Sequence, residues 1–291
     1  MFVASNPLPS SMTGFSFSGQ WYIEPQFAER MRDLIRPRLE AGKDAIPTNM
    51  LTISPPIEAK LARNEQWVAE YFRKANGVAQ LPIDGAMSRS GEMCSYGNET
   101  LMYWLDVLKR DPDTVAVVLK TNSPGGTVDS TRAFADAVRN FGKPIVAWTP
   151  FAASAAYYVA SQCTEIMVED QLVGGVGSIG VLMVLADQSG ALEKQGIKVQ
   201  IIRADGSEQK ALVNGVEAIS DETMAELKAT LNACRAEFVG YVRRGRAGKL
   251  TSDEVFSGKM YVAKAAVRLG LADRVGSLEM AHKRALQLSK Q

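Results

Sequence analysis

From Gly77 onward the chain alternates short apolar runs with stretches of helical spacing, and this alternation restricts the fold more than any other feature. Runs at 78–83, 114–120, 144–148, 165–168, 179–184 and 198–203 have strand length. Helical patterns at 100–110, 127–140, 155–161 and 187–195 fall between them. Strands separated by helices cannot pair as hairpins. They pair in parallel, with helices returning over both faces, which gives an α/β fold with a largely parallel sheet of βα units. Before Gly77, positions 26–40 and 55–75 carry helical spacing around a break containing Gly42, Pro47 and Pro55, so residues 1–76 read as a helical N-terminal arm and 77–291 as the main domain. Ser220-Asp221-Glu222 is an N-cap signature for a helix running to about Arg244, and two further helices are expected around Gly270.

The 291 residues are 46% hydrophobic and 22% charged, enough apolar content for a large core. Thirty-three basic residues against 32 acidic ones, scattered along the chain, give no basic block to neutralise phosphates, which argues against a nucleic-acid partner. Cys94, Cys163 and Cys234 are odd in number and widely spaced, so neither a disulfide framework nor a Cys-rich metal site is expected, and a cytoplasmic, reducing compartment fits. Residues 1–20 lack the apolar stretch of a secretion signal. The uncharged segments 144–164 and 171–186 are interrupted by Pro150 and by glycines, as a buried α/β core would be, and no membrane anchor is expected.

His282 is the only histidine, in a polar helical pattern near the C-terminus, which removes a Ser-His-Asp triad and leaves a zinc site short of ligands; no metal or cofactor is expected. Asn122-Ser123-Pro124-Gly125-Gly126 leaves a strand and enters a helix, and its glycines offer backbone N–H groups either for an oxyanion or for an ordinary turn. Ser154 stands at a second strand-to-helix junction among alanines, placed either as a nucleophile or as an N-cap. A serine hydrolase without histidine needs a neutral lysine as base, and Lys210, in the loop after 198–203, falls at the carboxyl edge of such a sheet; the other reading is a solvated loop residue. Gly174-Gly175-Val176-Gly177-Ser178 allows close backbone approach, with Ser178 able to orient an amine or simply to pack a corner.

These segments, in this order, resemble the signal peptide peptidase A family of Ser/Lys peptidases, a branch of the caseinolytic protease and crotonase-like fold, and particularly its phage and prophage members. The resemblance spans about 78–277 and rests on Asn122 to Gly126, Ala153 to Tyr158, Gly177 to Val181, Lys210, and the tail segments Phe256 to Tyr261 and Leu269 to Gly276. It implies a serine endopeptidase with Ser154 as nucleophile, Lys210 as base, Gly125, Gly126 and Ala155 around the oxyanion, and Ser178 orienting the lysine. It also implies a homo-oligomer acting on peptide or protein substrates, with the dyad completed within or between subunits. The phage likeness implies cleavage of capsid or scaffold proteins in the host cytoplasm or the assembling head. A cellular signal-peptide-peptidase-like protease, an acyl-CoA-binding crotonase-like enzyme and a non-catalytic scaffold are the alternatives. Two positions depart from the family pattern: Ala155 replaces the glycine after the nucleophile, and Lys210 lacks the usual Gly-Lys-Tyr-Lys context, leaving Lys194 and Lys198 as fallback bases.

Overall fold

The computed structural model describes residues 65–92 and 95–291, together with the backbone of a short strand at 21–23. Its strands are β1 (Trp21–Ile23), β2 (Val78–Asp84), β3 (Gly91–Glu92), β4 (Ser95–Tyr96), β5 (Ala116–Ser123), β6 (Gly125–Thr127), β7 (Ile145–Ala153), β8 (Glu165–Val168), β9 (Gly175–Gly177), β10 (Met260–Tyr261) and β11 (Arg274–Val275). Its helices are α1 (Glu65–Phe72), α2 (Asn98–Arg110), α3 (Thr131–Arg139), α4 (Ala155–Ala160), α5 (Ser189–Lys194), α6 (Asp221–Gly245), α7 (Ala263–Arg268) and α8 (Leu278–Leu288). Helical spacing at 26–40 and the first part of 55–75 lies outside the described residues, as does Cys94.

The expected α/β architecture is present: in a seven-stranded sheet β7 and β5 pair in parallel at the centre, and β2 pairs in parallel with β5 at one edge. Val117, Leu119 and Leu81 pack on one face against Leu101, Trp104, Leu105 and Phe134 of α2 and α3. On the other face Ala116, Val118, Val146 and Trp148 meet Ala281 and Ala285 of α8. Both faces are covered, which is why these strands read as nearly unbroken apolar runs rather than as alternating ones. Helix α1 belongs to the first core through Val68 and Phe72, the latter ring 4.9 Å from Trp104.

β7 is longer than its apolar run suggests and continues through Pro150 to Ala153. Proline has no N–H for a ladder, and here it marks a register shift: Lys120 pairs with Trp148, but Asn122 pairs with Phe151. The partner on the far edge changes at the same place. Val146 to Thr149 pair with β8, whereas Phe151 to Ala153 pair with β9. The sheet therefore forks into a β8–β11 prong and a β9–β10 prong.

Three expectations need correction. Segments 179–184 and 198–203 are not strands; apolar residues such as Val184, Val199 and Ile202 stand exposed there, and without a neighbouring ladder β-propensity alone does not make a strand. The strand in this stretch is instead β9, whose two glycines hide it from a propensity reading. Helix α3 starts at Thr131 rather than 127, because Gly125 to Thr127 form β6 and Ser130 takes a left-handed turn at φ 64°.

The C-terminal tail is locked to the β8 prong by a buried ion pair. Arg246 donates through Nη1 and Nη2 to Asp273 at 2.7 and 3.1 Å and through Nε to the Gly270 carbonyl, while Asp273 also accepts from the Ile166 N–H and from Lys249. Burial pushes the Asp273 carboxyl up, but these donors outweigh it and hold it below the ordinary carboxylate range. A group depressed in the folded state stabilises above its unfolded value, about 3.9, and that contribution is lost as pH falls through its lower folded value. Arg246→Met should therefore cost about 3 kcal/mol at neutral pH, because Asp273 loses its buried partner and keeps only the more exposed Lys249 and the Ile166 N–H. Asp273→Asn should flatten the acid side of the melting-temperature profile, measured by calorimetry from pH 7 to pH 2.

Candidate active site

The strand ends place three turns side by side at the carboxyl edge of the sheet, where ligands of open α/β sheets bind. Ser123 pairs with Ala152 and Ala153 pairs with Gly177, so the residues just beyond them, the Gly125-Gly126 turn, Ser154 and Ser178, follow one another across the edge. Helix α4 then carries the chain inward, with Ala155 to Ala160 all buried.

Ser154 is not an N-cap in the chemical sense. It precedes α4 but its hydroxyl makes no capping hydrogen bond. Its backbone sits at φ 55°, ψ −118°, a combination that serine adopts only under constraint. The constraint is visible: the Ser154 N–H donates to the Gly177 carbonyl at 2.9 Å, and its own carbonyl accepts from Tyr158 at 2.8 Å. Ser178, also at positive φ (54°), is pinned by donating its N–H to the Lys259 carbonyl at 2.8 Å. Both serines are almost fully buried, at 1% and 7% exposure.

At the neighbouring turn the Ser123 hydroxyl donates to the Gly85 carbonyl at 2.6 Å and accepts from the Gly125 N–H at 3.2 Å. Gly125 takes φ 93°, open to glycine alone in practice. Gly126 is required for space, since a Cβ there would lie 1.7 Å from the Met87 carbonyl oxygen. Ser123 through its hydroxyl, and Met87 and Lys259 through their backbone, hold the site, and sequence reasoning missed them as positioning groups. The only signal was their adjacency to the glycine turns and to the Phe256-to-Tyr261 segment.

Lys210 lies elsewhere. Its N–H donates to the Ser207 carbonyl at 3.0 Å, its carbonyl accepts from Arg203 Nε at 2.6 Å, and the residue is exposed. Among the described residues no hydrogen bond joins it to Ser154 or Ser178, so the single chain supplies none of the burial that a neutral lysine requires. Lys194 and Lys198 are exposed as well. His282 bonds Gln80 in β2 at 2.9 Å and is half-buried rather than solvated, with burial and then Lys74 lowering its pKa. Cys163 is buried, which pushes its thiol up and away from reactivity. No group of His, Cys, Asp and Glu among the described residues could hold a metal, and no described helix is long and apolar enough to cross a membrane.

Residues 137–291 match the model of peptidase family S49. The chain belongs to this family. The S49 match covers Ser154, Ser178 and Lys210 but begins after the Gly125-Gly126 turn. Three relatives extend the similarity. A Methanocaldococcus jannaschii protein named only provisionally as a protease is 32% identical over 64% of this chain and 60% of its own length. Protease 4 of Haemophilus influenzae is 25% identical over 76% of the chain and 36% of its own length. Capsid assembly protease C of Escherichia phage lambda is 28% identical over 71% and 48% respectively. The S49 chain thus spans between about a third and three-fifths of the length of these relatives. A solved structure of a membrane-bound stomatin-specific protease superposes with a TM-score of 0.46 at 13% identity, over 71% of this chain and 83% of that one.

The strain at Ser154 has a measurable consequence. A serine held outside its favoured regions costs about 1–3 kcal/mol, whereas glycine there would lose that strain and add about 0.5–1 kcal/mol of chain entropy. Ser154→Gly should therefore be more stable than wild type by about 1 kcal/mol in urea unfolding. An ordinary helix-capping serine would be destabilised or unchanged by the same substitution.

Proposed function

We propose that this S49 member is a serine endopeptidase in which Ser154 attacks the peptide carbonyl and Lys210 takes its proton. The observation that carries the reading is Ser154 itself: a strained backbone, a hydroxyl not used as a cap, and a position between a glycine turn and Ser178 at the sheet edge. Attack would form a tetrahedral oxyanion that collapses to an ester on Ser154, releasing the amine with the proton carried by the lysine. Water would then hydrolyse the acyl-enzyme, with the same lysine as base. The Ala155 N–H, at the start of α4 with its partial positive charge, would serve the oxyanion, joined by the N–H groups of Gly125 and Gly126 once these are released from the Ser123 hydroxyl and from β1. Ser178 would orient the amine.

Because Lys210 is exposed in the single chain, the reading includes a homo-oligomer in which a neighbouring copy completes the site. The segment that carries Lys210 supports this through its exposed apolar residues, Val184, Ile197, Val199, Ile202 and Val213, a density unusual for a free surface. The substrate class follows the relatives' names: proteins, with the lambda relative's name, a capsid assembly protease, favouring capsid or scaffold substrates over the general peptide clearance of a cellular enzyme. An acyl-CoA chemistry on the same fold would leave the uncapped, strained serine without a task.

Fluorophosphonate labelling tests the nucleophile: wild type should be labelled and Ser154→Ala should not, with both melting within about 2 °C of each other. Labelling that survives Ser154→Ala would remove the assignment. The lysine is tested by mixing. Ser154→Ala and Lys210→Ala, each inactive on fluorescent casein, should regain activity after dissociation and co-assembly if serine and lysine come from different copies. Lys210→Arg should stay inactive, because a guanidinium cannot accept the proton at any usable pH. Full activity in Lys210→Ala at pH 8 would show that another group is the base.

A further inference from the structure

The backbone strand β1 occupies one edge of β6, with Trp21 opposite Thr127, Tyr22 opposite Gly126 and Ile23 opposite Gly125 in antiparallel register. The other edge of β6 is taken by Met87: Thr127 N–H donates to the Met87 carbonyl at 2.9 Å, and the Gly125 carbonyl accepts from Met87 N–H at 2.8 Å. In an extended strand the N–H and C=O of one residue point to the same edge, and neighbours alternate. Thr127 and Gly125 face Met87, so the N–H and C=O of Gly126 face Tyr22. The Gly125 N–H is already held by the Ser123 hydroxyl. Gly126 therefore has the one peptide unit of this turn directed to the outer edge, and the chain's own residue 22 sits on it.

We infer that this edge of β6 is where an extended peptide substrate docks, and that residues 21–23 hold it as an intramolecular competitor which must leave before a substrate enters. The inference rests on the peptidase reading above and adds its substrate geometry and its control. Two further observations agree with it. The β6 strand follows directly on the turn beside Ser154 and packs on α4, the helix that Ser154 opens, so a strand on this edge is at most one strand removed from the nucleophile's helix. Ser154 is 1% exposed, which closes the site to a peptide in the state described. An antiparallel strand added to an exposed edge is a general mode of peptide recognition, in which main-chain bonds give affinity independent of sequence.

The test uses the full chain. Tyr22→Pro removes the N–H that faces the Gly126 carbonyl, whereas Trp21→Pro, at the start of the strand and with its N–H facing away, leaves the pairing intact. Amide exchange of the Ser123–Thr127 region by mass spectrometry should be at least ten-fold faster in Tyr22→Pro than in wild type or Trp21→Pro. An excess of a synthetic peptide of residues 18–26 should restore the protection. Cleavage of fluorescent casein should rise several-fold in Tyr22→Pro and fall back on addition of the same peptide. Equal exchange in Tyr22→Pro and wild type would overturn the inference, as would a peptide that restores no protection. Faster exchange with an unchanged rate in an active enzyme would overturn the control while leaving the docking edge. If no form is labelled by fluorophosphonate, the peptidase reading fails, and the exchange and peptide arms still decide whether this edge binds an extended strand.

Discussion

The pairing of β5 with β7 determines where every candidate group stands. Both strands run in the same direction, so both end at the same edge, and their register puts Ser123 beside Ala152. The glycine turn and Ser154 are neighbours because two buried strands of Val, Leu, Ile and Ala have matched lengths, and the apolar faces that fix the match are covered by helices on both sides. Parallel register slips are costly when both faces are buried, since a one-residue shift exchanges the two sets of side chains. The site thus inherits its geometry from core packing rather than from contacts among its own residues.

On that base the serine is held by backbone bonds alone. The Ser154 N–H reaches Gly177, Ser178 reaches Lys259, and the Ser123 hydroxyl ties Gly85 to Gly125. No hydroxyl of Ser154 is consumed in the process. A fold that spends steric strain on a side chain and leaves its polar atom uncommitted keeps that atom for something outside the fold, and family membership in S49 agrees in kind. Lys210, by contrast, is exposed, on a segment that also carries Val184, Val199 and Ile202 at its surface.

Much of this was legible in the residues. The alternation from Gly77, the central strands, the Ser220 cap of α6, whose hydroxyl accepts from the Thr223 N–H, and the strand-to-helix junction at Ser154 all follow from local periodicity and turn chemistry. Other features did not follow, for identifiable reasons. β9 is Gly-Val-Gly, with no propensity of its own, and it exists because β7 offers three residues of free edge. The runs at 179–184 and 198–203 have strand composition and no edge to join. Pro150 reads as a strand terminator, yet a bulge absorbs it and the strand continues. In each case the deciding partner is far away in sequence, and propensity cannot see it. The site residues were found through their turns. The bonds that constrain them, to Gly177, Lys259 and Met87, are long-range and were not.

The fork at Pro150 divides the sheet mechanically. The β8–β11 prong is bolted down by the Arg246–Asp273 pair, by α8 and by the Trp148 indole, which donates to the Gly276 carbonyl at 3.0 Å. The β9–β10 prong is rooted in only three residue pairs on β7 and ends in two more. It is a cantilever beside a fixed beam. Local opening costs least where few ladder bonds must break, so this prong is the weaker of the two, held to the sheet less by its ladder than by the buried Val176 side chain and by α7, which packs on both β9 and β11. Ser154 rides on the beam, through β7, whereas Ser178 and the Lys259 carbonyl ride on the cantilever. A load on the β10 side would widen or narrow the gap between the two serines like the jaws of a clothes peg, with Pro150 as the pivot.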